Sequence, residues 1–383
     1  VVDGDAAHRA ELAESWPAAD LVVTSYDLLR RDEALYEGQE FYACILDEAQ
    51  AIKNHTTQKY KAVCKVRSRV RFALTGTPVE NRLGELWSIF SFLMPGYLPP
   101  YKSFCSRFEK PIVQEEDQTA VRRLNQLTGP FILRRMKADV LKELPPKTEN
   151  VYRIELEEEQ RKLYLAAVVD AREKLQAAKP EDKMAVFAVL MRLREICCDP
   201  RLIADNWEGG SAKLDACVEL VSSAVEGGHR ILLFSQFTSM LELLAKRLDA
   251  EGISHFTLQG STPKPVRAEL VRRFNGGEVS VFLISLRAGG TGLNLTAADI
   301  VIHYDPWWNV AAQNQATDRA YRIGQQNPVQ VYKLIAQDTI EEKIVELQQA
   351  KQSLADTVTG TADGAILSMR PDELLQLLEG SEP

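Results

Sequence analysis

The sequence predicts an α/β protein of two domains with parallel β-sheets and a helical insertion between them. Short apolar runs recur in two blocks, and each run is followed by helical or turn-rich sequence, as in sheets covered by helices on both faces. The length of 383 residues exceeds one ordinary hydrophobic core. The predicted strands are residues 21–24, 41–46, 71–74, 231–234, 279–284, 300–304 and 329–334.

The region between the two strand blocks has a different composition. From residue 98 to residue 210 it is rich in aromatic residues and then in Glu, Lys, Leu and Ala, which favours helices. The Leu-Pro-Pro-Lys segment at 144–147 interrupts it, because proline lacks an amide donor and restrains the residue before it. We therefore expect these parts: a first domain over 1–147, a helical linker or protrusion over 148–210, a second domain over 211–350 and a helical tail over 351–383.

Composition excludes several classes of protein. Hydrophobic residues make up 45% and charged residues 26%, which is typical of a globular protein and not of a disordered one. The six cysteines form no C-x-x-C pair and have no histidine at zinc-site spacing, so we interpret them as reduced thiols. A net charge of -8 argues against a nucleic-acid coat protein, because nonspecific DNA binding depends on lysine and arginine. Any DNA contact must then come from local patches.

Targeting signals are also missing from the sequence. No apolar run approaches the roughly 20 residues that span a bilayer, and the first residues lack a signal-peptide pattern. We therefore expect no membrane partner and an intracellular location, cytoplasmic and nucleoid-associated in a bacterium or archaeon and nuclear in a eukaryote.

Chemistry-bearing residues follow the apolar runs, where parallel sheets place their ligands. The first run ends in Asp47 and Glu48. Phosphoryl transfer needs one carboxylate to hold Mg²⁺ and another to orient or deprotonate water, so Asp47 is the predicted metal residue and Glu48 the predicted base. The alternative is a solvated acidic pair that begins a helix.

A second run leads into Thr75, Gly76 and Thr77. Thr77 has the features of a helix N-cap, with Pro78 at the first helical position and Glu80 completing a capping box, so part of this motif is structural. The apolar side chains that follow at helical spacing are predicted core: Leu83, Leu86, Trp87, Phe90 and Met94.

The third run leads into a glycine-rich segment, residues 285–294. Gly290 and Gly292 allow backbone amides to approach an anion, and Thr291 and Asn294 add side-chain hydrogen bonds, which suits a DNA phosphate or a nucleotide phosphate. A glycine-rich turn between a strand and a helix is also common without any ligand.

The fourth segment, residues 313–325, carries two arginines. If it is helical, Gln315, Arg319 and Arg322 lie on one face, as in sites that stabilise charge on a transferred phosphoryl group. The alternative is a solvated polar face. Other basic or aromatic candidates are Arg134, Arg135 and Trp307, although the pair Trp307 and Trp308 beside Pro306 is more typical of core.

Taken in order, these motifs resemble the Swi/Snf family of superfamily-two helicase-like ATPases. The resemblance extends from about residue 21 to about residue 347. The matching segments are residues 47–54, 74–81, 131–140, 144–147, 233–237, 260–267, 285–309 and 315–325. It implies two RecA-like lobes that hold ATP and Mg²⁺ between them and that bind double-stranded DNA, with translocation along the duplex and remodelling of DNA-bound protein complexes.

The resemblance also implies roles for individual residues. Asp47 and Glu48 would serve hydrolysis, and Arg319 and Arg322 would complete the site from the other lobe. The residues implied in ATP binding or coupling are Thr75, Gly76, Thr77, Gln315, Gly290 and Gly292. The residues implied in DNA contact are Ser235, Gln236, Arg267, Thr291, Asn294, Arg134, Arg135 and Trp307.

One element of the family pattern is missing. No G-x-x-x-x-G-K-[ST] segment occurs, so the lysine and hydroxyl that hold the nucleotide phosphates are not in this sequence. The simplest expectation is that the chain begins inside the first lobe. The alternative function is a noncatalytic module that binds DNA or a partner protein, while an RNA helicase is disfavoured by the Gly324-Gln325 ending and the long helical insertion.

Overall fold

The chain folds into two compact units that divide between Arg134 and Arg135. The structure is a computed structural model, and it describes the chain apart from residues 77–82, 116, 136–140, 142, 178, 180–181, 205, 290–291, 349–370 and 380–383 and the side chains of residues 183, 287, 373, 377 and 379. The first unit comprises residues 1–134, and the second comprises residues 135–348 and 371–379. The sequence predicted the boundary at the Leu-Pro-Pro-Lys segment, residues 144–147, whereas the structure divides the chain before that segment.

The first unit contains a parallel pair of strands, β1 (Glu40–Leu46) and β2 (Arg67–Ala73). The pairing aligns Leu46 with Ala73, so the two strands end at the same edge. The predicted strand at 21–24 is instead irregular, although the Val23 carbonyl accepts a 2.8 Å hydrogen bond from the Val2 amide. An apolar run forms a strand only where a neighbouring strand completes its hydrogen bonds.

The described part of the first unit also contains helices. They are α1 (Ala6–Glu14), α2 (Tyr26–Arg31), α3 (Glu33–Tyr36), α4 (Gln58–Lys65), α5 (Leu83–Leu93), α6 (Tyr101–Phe104), α7 (Lys110–Gln114) and α8 (Gln118–Thr128). Side chains of Asp5, Ser25, Thr57 and Asp117 cap α1, α2, α4 and α8 by accepting backbone N–H groups. The apolar stripe predicted on α5 is core: Leu83, Leu86 and Phe90 are buried, and Trp87 and Met94 are half-buried.

The second unit is built on a six-stranded sheet, ordered β3-β8-β7-β4-β6-β5, in which every neighbouring pair is parallel. The strands are β3 (Lys147–Ile154), β4 (Ile231–Ser235), β5 (His255–Leu258), β6 (Val281–Ser285), β7 (Ile300–His303) and β8 (Val329–Ala336). Every residue of β4, β6 and β7 is buried, as expected for central strands covered on both faces. Their carboxyl ends therefore share one edge of the sheet.

The helices of the second unit cover both faces of this sheet and extend beyond it. They are α9 (Glu158–Ala177), α10 (Lys183–Cys198), α11 (Ala212–Glu226), α12 (Thr238–Ala250), α13 (Lys264–Asn275), α14 (Leu286–Gly289), α15 (Val310–Thr317), α16 (340–348) and α17 (Pro371–Glu379). Helix α17 packs on α9 and α10 through the buried Leu374 and Leu378. No helix among these described residues is long and apolar enough to cross a membrane.

Two strands of this sheet were not predicted. The sequence assigned residues 148–210 to a helical linker, but the segment begins with β3, which pairs with β8. Strand β3 lies at the sheet edge and is mostly exposed, so it has no continuous apolar run to mark it. Glu149 on β3 accepts 2.7 Å hydrogen bonds from Lys147 and from Lys333 on β8. The other unpredicted strand, β5, is only four residues long.

Candidate active site

The acidic pair lies at the carboxyl end of β1, and both side chains are exposed. Asp47 Oδ1 accepts a 2.9 Å hydrogen bond from the Glu48 amide. Glu48 has φ 49° and ψ 52°, in the left-handed region that a side chain other than glycine seldom adopts. The following turn is anchored by Ala49 and Ile52, neither of which is accessible to solvent. Tertiary packing thus holds the predicted base in a strained backbone conformation.

A hydrogen-bonded chain joins this pair to the end of β2. Gln50 Nε2 donates a 2.6 Å hydrogen bond to Glu48 Oε2, and Thr75 Oγ1 donates a 2.8 Å bond to Gln50 Oε1. The backbones of the two strand ends are also joined, because the Leu74 carbonyl accepts a 2.9 Å bond from the Ala49 amide. The predicted residues Glu48 and Thr75 are therefore brought together. Gly76 is exposed beside them, and Thr77 lies outside the described residues.

Tyr26 is a residue of this site that sequence reasoning missed. Its hydroxyl donates a 2.7 Å hydrogen bond to the Asp47 carbonyl oxygen. Burial and the neighbouring Asp47 carboxylate raise the pKa of Tyr26 well above its ordinary value, so the phenol remains a neutral donor. The sequence feature that could have identified Tyr26 is its position just after the apolar run at residues 21–24.

Asp47 and Glu48 are exposed carboxylates, and carboxylate oxygens suit Mg²⁺. Within the described ranges, no group of three or more His, Cys, Asp or Glu side chains could hold a metal. Mg²⁺ at phosphate-transfer sites is held by one or two carboxylates together with substrate phosphates and water. Asp47, exposed at a rigid strand end, is the residue that would hold it.

In the second unit, Ser235 is the last residue of β4 and Gln236 follows it, and both are hydrogen-bonded to Asp305, which follows β7. Ser235 Oγ donates a 2.6 Å hydrogen bond to Asp305 Oδ1, and the Gln236 amide donates a 3.2 Å bond to the same oxygen. Ser235 is completely buried, so the predicted direct contact between its hydroxyl and DNA is corrected to an internal hydrogen bond. Gln236 is half-buried. Burial raises the pKa of Asp305, and Arg194 and Ser235 oppose that shift.

The glycine-rich segment after β6 is described only in part. Gly290 and Thr291 lie outside the described residues, whereas Gly292 and Asn294 are exposed. Gly292 has φ +36°, which its lack of a Cβ permits. The Asn294 carbonyl accepts a 2.8 Å hydrogen bond from Asn275 Nδ2 on α13, the helix that also carries the half-buried Arg267.

The arginine segment departs from the predicted helix. Helix α15 ends at Thr317, so Gln315 is helical while Arg319 and Arg322 lie in the turns that follow. The prediction that all three share one helical face was therefore wrong. The chain leaves the helix because the Arg319 carbonyl accepts a 3.0 Å bond from the Leu295 amide.

Both arginines are instead tied to the glycine-rich segment. Arg319 Nε donates a 2.9 Å hydrogen bond to the Gly289 carbonyl, and Arg322 Nη1 donates a 3.1 Å bond to the Leu293 carbonyl. Arg319 is 8% exposed and Arg322 is half-buried. The structure thus fixes both guanidinium groups against the predicted phosphate-binding segment of the same unit.

The remaining predicted DNA contacts differ in exposure. Arg134 and Arg135 are exposed. Trp308 is buried beneath the Arg194 guanidinium, which lies 4.2 Å from its ring centroid, while Trp307 is half-buried against the core. The core interpretation therefore holds for Trp308, and Trp307 remains a candidate contact.

Two known protein families match this chain. The SNF2-related domain matches residues 2–202, and the helicase conserved C-terminal domain matches residues 212–324. Relatives include the putative ATP-dependent helicase/translocase YwqA of Bacillus subtilis, 39% identical over 376 residues and 96% of this chain. An uncharacterized ATP-dependent helicase of Mycoplasma pneumoniae is also 39% identical, over 97% of this chain. The chain spans 41% and 36% of these two relatives' lengths.

Two solved structures have similar folds. The Sulfolobus solfataricus SWI2/SNF2 ATPase core in complex with dsDNA matches with a TM-score of 0.50 and 36% identity, over 88% of this chain and 72% of that one. The Sulfolobus solfataricus SWI2/SNF2 ATPase core domain matches with a TM-score of 0.53 and 35% identity, over 94% and 75%. Each unit of this chain is thereby similar to part of a two-lobed RecA-like ATPase core.

Proposed function

The chain belongs to the SNF2-related family, and on that premise we propose that it forms part of an ATP-dependent double-stranded DNA translocase. The motor would hydrolyse ATP, move along duplex DNA and remodel protein–DNA complexes. Support comes from the similarity to a putative helicase/translocase and to an ATPase core solved with dsDNA. A cytoplasmic, nucleoid-associated location would follow in a bacterium or archaeon and a nuclear one in a eukaryote.

The observation that carries this proposal is the hydrogen-bonded chain Glu48–Gln50–Thr75. Bound ATP with Mg²⁺ supplies the transferable phosphoryl group. Asp47 would hold the ion, and Glu48 would orient or deprotonate the attacking water. Because Gln50 contacts both Glu48 and Thr75, the position of the base depends on the loop after β2. A motor needs such a link between its hydrolytic residue and a second segment.

The second unit supplies positive charge and polar groups. Arg319 and Arg322 carry permanently charged, planar guanidinium groups that suit the charge on a transferred phosphoryl group. Gln315 precedes them on α15 and would help couple nucleotide binding to their position. The proposed contacts with DNA phosphates in this unit are Gln236, Arg267, Asn294, Arg135 and Trp307, together with Thr291, and Arg134 of the first unit would add another.

Steady-state ATP hydrolysis, measured with and without duplex DNA, tests the enzymatic part. The 383 residues contain no G-x-x-x-x-G-K-[ST] segment, so the assay compares this chain with the full product of its gene. Hydrolysis by the gene product that requires duplex DNA, and that Glu48→Gln abolishes, would support the proposal. Duplex binding without any hydrolysis in either protein would instead identify a noncatalytic DNA-binding module.

Translocation is tested separately. The gene product with ATP should displace a third strand from a triplex while the underlying duplex stays paired. Glu48→Gln should bind the same substrate without displacing the third strand. Displacement by this variant, or separation of the duplex strands, would contradict the proposed mode of action.

A further inference from the structure

A completely buried ion pair connects helix α10 to the carboxyl edge of the second sheet. Arg194 Nη2 lies 3.3 Å from Asp305 Oδ2, and the two side chains are 0% and 1% exposed. Arg194 also donates a hydrogen bond to the Pro306 carbonyl. Residue 194 lies in the helical insertion, far in sequence from every motif assigned a role above.

Asp305 is also hydrogen-bonded to the turn after β4. Its Oδ1 atom accepts hydrogen bonds from Ser235 Oγ at 2.6 Å and from the Gln236 amide at 3.2 Å. Ser235 Oγ in turn accepts a 3.2 Å bond from the Phe237 amide. The whole turn that carries Gln236 is therefore held by one carboxylate, and that carboxylate is held by Arg194.

Two aromatic rings lie beside the Arg194 guanidinium group. It lies 4.2 Å from the Trp308 ring centroid and 5.7 Å from that of Phe237. Among the described residues, Arg194 Nε and Nη1 have no hydrogen-bond acceptor. The guanidinium is thus placed in an apolar setting with part of its hydrogen-bonding capacity unused, an arrangement that costs desolvation energy.

Such a pair is a poor source of stability. Replacing a buried ion pair by apolar residues of similar volume is often neutral or stabilising, whereas its directional bonds fix one geometry. We propose that Arg194 is a positioning residue that acts through Asp305 to fix the turn bearing Gln236 for contact with duplex DNA. This inference rests on the proposed function, because it presumes that Gln236 contacts DNA.

The test measures the affinity of the 383-residue chain for a fluorescent duplex by anisotropy, together with the melting temperature of each variant. Asp305→Asn breaks the pair with little change in volume. Glu341→Gln is the matched control, because Glu341 is also completely buried and paired, with its Oε2 atom 2.5 Å from Lys213 Nζ. A double-mutant cycle with Gln236→Ala asks whether the effect of Asp305 passes through Gln236.

We expect Asp305→Asn to weaken duplex binding by about tenfold, as for coupled residues in one network. Glu341→Gln should lower the melting temperature to a similar extent without changing affinity. In the Gln236→Ala background, Asp305→Asn should add little. If Asp305→Asn does not fold, Ser235→Ala removes the hydrogen bond to Asp305 while Arg194 and Asp305 stay paired, and it should weaken binding in the same direction.

Other outcomes would contradict either the positioning role of Arg194 or the proposed function. Equal loss of affinity in Glu341→Gln would show a general effect of stability and would overturn the positioning role. An undiminished effect of Asp305→Asn in the Gln236→Ala background would do the same, as would unchanged affinity in a folded Asp305→Asn or Ser235→Ala chain. Absence of duplex binding by the unmodified chain would instead count against the proposed function itself.

Discussion

The hydroxyl of Thr75 donates a 2.8 Å hydrogen bond to Gln50 Oε1, while Gln50 Nε2 donates a 2.6 Å bond to Glu48. The Gln50 side chain is thus hydrogen-bonded to both Thr75 and Glu48, so the position of the predicted base depends on Thr75. The two strands are parallel neighbours, which is why residues 25 positions apart in sequence meet.

Removing the Thr75 hydroxyl should break the hydrogen-bonded connection between the end of β2 and Glu48. In the full gene product, Thr75→Val keeps the side-chain shape and should lower DNA-stimulated ATP hydrolysis on the order of tenfold, the equivalent of one lost hydrogen bond. Thr56→Val is the control, because Thr56 Oγ1 donates a 2.7 Å bond to Asn54 Oδ1 and takes no part in the Glu48–Gln50–Thr75 chain of hydrogen bonds. Equal activities of the two variants would contradict the coupling role.

The left-handed backbone at Glu48 predicts a conflict between stability and activity. Glu48→Gly and Glu48→Ala both remove the carboxylate and should abolish hydrolysis. Glycine adopts φ 49° without steric cost, so the Gly variant should be more stable than the Ala variant by about 1 kcal/mol. Urea denaturation of both variants measures the difference, and indistinguishable unfolding free energies would show that the backbone is not strained there.

Arg322 should matter for hydrolysis and not for DNA affinity. Arg322→Ala is expected to lower the ATPase rate of the full gene product by about a thousandfold, as for arginines that stabilise a transferred phosphoryl group. Arg272→Ala removes an exposed arginine that pairs with Glu269 on α13 and serves as the control. Parallel measurement of duplex affinity completes the test, since a comparable loss of binding would assign Arg322 a structural or DNA-contact role.

His303 should make the second unit sensitive to acid. It is 1% exposed, its Nε2 lies 2.9 Å from Thr317 Oγ1, and burial lowers its pKa from 6.5 to about 3. Below pH 6.5 the unfolded chain binds a proton that the folded chain does not, so the free energy of unfolding falls by up to about 1.4 kcal/mol per pH unit. Stability from this group is complete above pH 6.5 and is lost towards pH 3.

Urea denaturation at several pH values measures this slope. Below pH 6.5, His303→Gln should lower the slope of the free energy of unfolding against pH by most of the amount that one proton contributes. His8→Gln, which makes the same substitution at an exposed histidine of the first unit, is the matched control. Identical pH profiles for His303→Gln and the unmodified chain would mean that the buried ring is protonated in the folded state.

Local patterns determined much of this protein. The runs that form β4, β6 and β7 are apolar because both faces of these central parallel strands are covered, and this pattern is readable in sequence. The positions of Asp47, Glu48 and Thr75 at strand ends follow from the same pattern. The family resemblance carried by these motifs is confirmed by the match to the SNF2-related domain.

Long-range contacts decided the rest. Helix α15 stops at Thr317 because the Arg319 carbonyl bonds to the Leu295 amide and both guanidinium groups bond to the glycine-rich segment, which no local pattern near Arg319 reveals. Strand β3 is mostly polar, so only its pairing with β8 makes it a strand. Ser235 looks like a ligand contact in sequence, yet the Asp305 carboxylate holds it in the interior. Sequence specifies which groups are available, and packing specifies which of them meet.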